Sequence, residues 1–123
     1  MKVLITGNMG YVGPVLTRYL KTTIPNIELI GYDTGFFGHS LTGVHNLPEV
    51  YLDRQIYADV RDFDSKLLSG VDAVVHLAAI SNDPMGKEFE QVTAEINRKA
   101  SVTIAKLAAE AGVGNFVFAS SCS

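Results

Sequence analysis

Lys2-Val3-Leu4-Ile5-Thr6-Gly7-Asn8-Met9-Gly10-Tyr11-Val12-Gly13 is the stretch on which the fold turns. Its first half is a run of β-formers, Lys2 to Thr6, which reads as a buried strand. Its second half is a glycine turn, Gly7 to Gly13, followed by a helical pattern to about Lys21. Gly7 permits a tight turn, Gly10 lets the backbone approach a pyrophosphate, and Gly13 allows a helix to lie close on the strand. The N–H groups at the helix start, around Tyr11 and Val12, then face an anion with the positive end of the helix dipole behind them. Pro14 falls in or just beyond the first turn, where a missing N–H costs least. Asp33 follows twenty residues after Gly13 and closes a second β-rich run. An acid there accepts hydrogen bonds from adenosine ribose hydroxyls and repels a 2′-phosphate, which favours NAD over NADP. The plain alternative is an aspartate that caps its own loop.

Outward from that unit, strands alternate with helical stretches, the pattern of a parallel sheet covered by helices. Thr22 to Asn26 breaks the first helix, and Ile27 to Asp33 forms the second strand. A glycine-containing polar loop runs from Thr34 to about Pro48. The third strand is Gln55 to Ala58. Phe63 to Leu68 reads as a short helix with Asp62 as its N-cap and Gly70 as its stop. Val71 to Leu77 is the fourth strand, apolar enough to be buried on both faces. A loop from Ala78 to about Lys87 leads into a long helix, Glu88 to Ala111. Phe89, Val92, Ile96, Ala100, Ile104, Leu107 and Ala111 form its apolar stripe. Gly112 ends it, and Asn115 to Ser120 is the fifth strand.

Composition narrows the function classes. The 123 residues are 47% hydrophobic and carry a net charge of −3, which fits one globular domain over 1–123 and excludes disorder. The acidic balance lacks the basic footprint of a nucleic-acid binder. No apolar run reaches the roughly 18 residues of a membrane span. The single cysteine, Cys122, makes no internal disulfide, which points to a reducing cytoplasm. His39, His45 and His76 lack metal-ligand spacing.

The Gly-x-x-Gly-x-x-Gly spacing resembles the short-chain dehydrogenase/reductase superfamily, and four further matches resemble its extended branch, the nucleotide-sugar epimerases and dehydratases. Asp59-Val60-Arg61-Asp62 follows the third strand. His76-Leu77-Ala78-Ala79 ends the fourth. Asn97 lies in the long helix. Ala119-Ser120-Ser121-Cys122-Ser123 ends the fifth. The resemblance implies an α/β, Rossmann-type doubly wound sheet in strand order 3-2-1-4-5. It implies NAD as cofactor, with Asp59 and Val60 flanking adenine. Leu77, Ala78, Ala79, Asn97 and Ser120 would lie on the ribose and nicotinamide side, and Ser121 would be the catalytic serine. Read from the residues alone, Asp59 also suits a helical N-cap and Asn97 a buried anchor, and His76 is a satisfied core histidine rather than a proton carrier.

Family members are longer. The resemblance implies a later Tyr-x-x-x-Lys pair and a substrate-binding C-terminal portion, and none of the five tyrosines here is followed four residues on by lysine. The chain is therefore expected to be the NAD-binding front of a longer enzyme, inactive alone, whose nucleotide-sugar substrate exchanges a hydride with NAD. A non-catalytic dinucleotide-sensing module and a reductase of small carbonyl compounds are the alternatives. An uncovered fifth strand would favour a homo-oligomer.

Overall fold

The structure is a computed structural model that describes residues 1–35, 48–79 and 93–120. Five strands form one parallel sheet: β1 (Lys2–Thr6), β2 (Glu28–Asp33), β3 (Arg54–Tyr57), β4 (Ala73–His76) and β5 (Asn115–Phe118). Their order is β3-β2-β1-β4-β5, as expected. The chain reverses direction of travel across the sheet between β1 and β4, the switch point at which doubly wound sheets bind ligands. Strand ends lie within one or two residues of the expected ones. The ladder runs slightly past them, through Ala58 N–H to Asp33, Leu77 N–H to Thr6 and Ala119 N–H to His76.

Alternation along the strands sorts the side chains to two faces. Val3, Ile5 and Leu29 pack under α1 (Gly13–Thr23), against Leu16, Leu20 and Ile24. Leu4, Ile30, Tyr32 and Val74 face α2 (Ser101–Glu110), meeting Ala100, Ile104 and Ala108. β4 is buried on the α2 face and half-buried on the other, so the expectation of burial on both faces holds only in part. No helix among the described residues is long and apolar enough to cross a membrane.

Local chemistry moves several boundaries. α1 runs on to Thr23, and the Thr22 hydroxyl donates back to Arg18 O at 2.9 Å within its last turn. The expected short helix Phe63–Leu68 is two separate 3₁₀ turns, Val60–Asp62 and Ser65–Leu68. Asp59 and Asp64 cap them, not Asp62, each accepting from the N–H two residues on, at 2.9 Å. Phe63 is extended between them, its ring tilted by 54° to that of Tyr32 with the centroids 5.2 Å apart. A third 3₁₀ turn, Pro48–Tyr51, precedes β3.

The long helix is not regular. Glu95–Ala100 is a π-turn that runs into α2. The buried stripe continues from Ala100 and Ile104 to Ala108, and Ala111 is exposed at the helix end. Gly112, at φ +77°, closes α2: its N–H reaches Ala109 O and that of Val113 reaches Ala108 O. Only glycine takes that left-handed turn cheaply. The tip of the loop after β2, the loop after β4, the start of the long helix with Phe89 and Val92, and Ser121 with Cys122 lie outside the described residues.

Candidate functional site

The glycine turn is held from three sides. Gly7 has φ +72°, and a Cβ there would sit 2.6 Å from Ala78 N. Its N–H is tied to Tyr32 O at 2.8 Å. At Gly13 a Cβ would collide with the backbone of Asn8. Both glycines are therefore demanded by the chain's own packing. Gly10 differs. Its φ is not left-handed, and a Cβ would meet only Gly7 O, at 3.3 Å. Internal packing presses on a Cβ at position 10 far less than at positions 7 and 13. The opening it leaves is room for something outside the chain to approach the backbone.

Beside that opening, α1 begins without a cap. Val12 at the N-cap makes no side-chain hydrogen bond, and no acid occupies the first turn. Tyr11 is fully exposed and Val12 about half so. Unpaired N–H groups at a helix start, with the dipole behind them, form an anion site. Asp33, at the end of β2, completes the edge. Its Oδ2 accepts from Met9 N and its Oδ1 from Gly35 N, both at 2.9 Å. The carboxylate thus anchors the glycine turn and its own loop together. A carboxylate has about four acceptor sites, so capacity remains for a ligand hydroxyl.

Beneath the turn lie two buried polar groups, of which the sequence pattern revealed only one. Asn8 is buried and pairs amide to amide with Gln55 on β3, at 2.6 and 3.3 Å. Gly31 makes the space, since a Cβ there would lie 2.6 Å from both side chains. A glycine inside an otherwise bulky strand was the available signal. On the opposite face, His76 bridges Thr6 and Ser101, at 2.6 Å through Nδ1 and 2.7 Å through Nε2. His76 is 1% exposed, and burial pushes its pKa below the ordinary histidine value. It is the satisfied core histidine of the plain reading.

The remaining expected residues fall around the carboxyl ends of the strands. Leu77 and Ala78 lie against Gly7, and Ala79 is exposed next to them. Val60 is buried below Tyr32 in the α2-side core. Asp59 caps its turn and holds Arg61 in an ion pair at 2.6 Å. That guanidinium keeps the Asp59 carboxyl below the usual carboxylate range. The Asp59 carbonyl accepts from the Tyr32 hydroxyl at 2.8 Å. Burial, with Asp59, Asp62 and Asp64 nearby, raises the Tyr32 pKa. Asn97 sits half-buried in the π-turn, and Ser120 is exposed just beyond β5. Ser121 lies outside the described residues. Among the described residues no cluster of His, Cys, Asp or Glu suits a metal ion.

A family model described as the NAD dependent epimerase/dehydratase family matches residues 3–123. Comparison with curated protein sequences gives no match. Several solved structures share the fold. UDP-glucuronic acid 4-epimerase from Bacillus cereus, in complex with NAD, is 26% identical with a TM-score of 0.77, over 99% of this chain and 40% of that one. UDP-glucose-4-epimerase from Stenotrophomonas maltophila, with bound NAD and formylated UDP-arabinopyranose, is 22% identical with a TM-score of 0.78, over 99% and 37%. The NAD-dependent NDP-hexosamine 5,6-dehydratase TunA, involved in tunicamycin biosynthesis, is 24% identical with a TM-score of 0.81, over 98% and 37%. This chain therefore spans 37–40% of the length of those structures.

Proposed function

Because this chain belongs to the NAD-dependent epimerase/dehydratase family, we propose that it forms the NAD-holding part of an enzyme that epimerises or dehydrates a nucleotide sugar. The observation that carries this reading is the opening at Gly10 beside the uncapped start of α1. In this reading the N–H groups of Tyr11 and Val12 hold the pyrophosphate, with Gly7, Gly10 and Gly13 shaping the turn. Asp33 takes the adenosine ribose. Asp59 and Val60 flank adenine. Leu77, Ala78, Ala79, Asn97 and Ser120 border the nicotinamide half, and Ser121 orients a sugar hydroxyl. When bound, NAD supplies a hydride acceptor that later returns the hydride to the sugar. Asp33 also sets cofactor choice, since its charge opposes a 2′-phosphate. The two enzymes of known NAD complex act on UDP-sugars by their names, which supports a nucleotide sugar as substrate of the whole protein.

Calorimetric titration with NAD, NADP and ADP-ribose tests this. NAD and ADP-ribose are expected to saturate and NADP to bind more weakly. Gly10→Ala is expected to weaken NAD by about tenfold or more, because a methyl occupies the pyrophosphate approach. Equal NAD affinity in Gly10→Ala and wild type would overturn the assignment.

A further inference from the structure

One buried polar group is left over by this assignment. His76 is enclosed, yet both ring nitrogens are hydrogen-bonded, to Thr6 Oγ1 and to Ser101 Oγ. The chain of bonds does not stop there. The Ser101 hydroxyl also donates to Ile96 O, at 3.3 Å and five residues back. That spacing is the register of the π-turn Glu95–Ala100, in which Asn97 sits. At its other end the chain reaches Thr6, whose successor Gly7 opens the glycine turn. Phe116 and Phe118 stack beside the ring at 6.2 and 5.9 Å.

Either neutral tautomer of His76 satisfies both ring nitrogens, one donating and the other accepting. With the Ser101 hydrogen on Ile96 O, Ser101 Oγ accepts from Nε2–H and Nδ1 takes the Thr6 hydroxyl proton, so that each donor and acceptor is used once. An apolar filling of the same volume would hold the sheet and helix together about as well, without the cost of burying polar groups. What the bonded chain adds is a defined geometry, because each bond holds only within a narrow range of distance and angle.

We propose that His76 is a positioning residue, which sets the π-turn bearing Asn97 against the end of β1 by bonding Thr6 and Ser101 at once. The consequence for the nicotinamide half of the site rests on the NAD reading above. The coupling of π-turn to sheet does not.

Hydrogen exchange on the whole 123-residue chain tests the coupling. Ser101→Ala deletes one hydroxyl, and His76→Phe removes both bonds while keeping a ring. Both are expected to speed amide exchange across residues 95–101 by about five- to tenfold, the equilibrium equivalent of one buried hydrogen bond. Exchange in β2 stays unchanged, and Ser101→Thr, which restores the hydroxyl, returns to wild-type rates. Unchanged exchange across 95–101 in Ser101→Ala would overturn the proposal, even if His76→Phe fails to fold. Titration then reads the site. Ser101→Ala is expected to weaken NAD more than ADP-ribose, which lacks nicotinamide. Equal weakening of both would overturn the link to the nicotinamide half. A wild-type chain that binds neither would overturn the NAD reading, and the exchange result alone would decide the role of His76.

Discussion

Three glycines in one turn have two different physical reasons, and substitution separates them. Gly7 has φ +72° and backbone atoms within 2.8 Å of any Cβ, so Gly7→Ala is expected to cost about 1–3 kcal/mol or more of stability. Gly13→Ala should do the same through Asn8. Gly10→Ala, with one contact at 3.3 Å, should leave the melting temperature within a few degrees of wild type while affecting the ligand. A thermal melt of the three variants checks this; a Gly10→Ala chain as unstable as Gly7→Ala would show that packing alone demands the residue. Asp33 is a less clean probe, because its carboxylate also anchors Met9 and Gly35. His76 gives a pH dependence. Burial favours its neutral form, so its folded pKa lies below the unfolded value. Above about pH 6.5 both states are neutral there and the contribution is full. As pH falls below that, the unfolded chain takes up the proton and the folded chain does not, so stability declines until the depressed folded value is reached. Urea midpoints measured between about pH 7 and pH 5 should fall in wild type and fall less in His76→Phe. Equal slopes would refute it. Asp53 and Asp59 act lower, from about pH 4 downward, since Lys21 and Arg61 hold their pKa values down.

At the scale of elements, the turn is built from below as well as from within. The Asn8–Gln55 pair ties it to β3, across the space left by Gly31. Gln55→Ala strands the buried Asn8 amide and is expected to destabilise by about 1–3 kcal/mol. A denaturation midpoint equal to wild type would mean that water replaces the partner. The far ends of the same elements are tied separately. Asp53 accepts from Lys21 on α1 at 2.6 Å and from Leu29 N on β2 at 2.7 Å. Being exposed, that bridge contributes little on its own.

Across the whole molecule, burial is uneven. The central strands are enclosed by both helical layers, whereas β5 is open, with Val117 at 53% and Phe118 at 49% exposure. An apolar edge strand is a pairing template. The isolated chain is expected to self-associate in a concentration-dependent way, with Val117→Lys shifting it toward monomer. A monodisperse monomer in light scattering at all concentrations would count against this. The sheet order itself also places the candidate residues together. Gly7, Asp33, Asp59 and Ala78 come from four separate stretches of chain, and the parallel order β3-β2-β1-β4 brings them to one sheet end.

Much of this was legible from residue order. Strand-and-glycine punctuation, period-two and period-3.6 patterns, and an acid at the end of β2 are local features. Local features set element type, sheet class and the family, because they act over a few residues at a time. Tertiary structure alone decided which polar groups pair. Asn8 with Gln55, Thr6 with His76, and His76 with Ser101 are separated by 25 to 70 residues. No short-range pattern marks them, since their bonds exist only after the sheet is assembled and water is excluded. The same holds for the π-turn. Its residues suit an ordinary helix, and the 3₁₀ turn Val60–Asp62 against which it packs is brought there only by the fold.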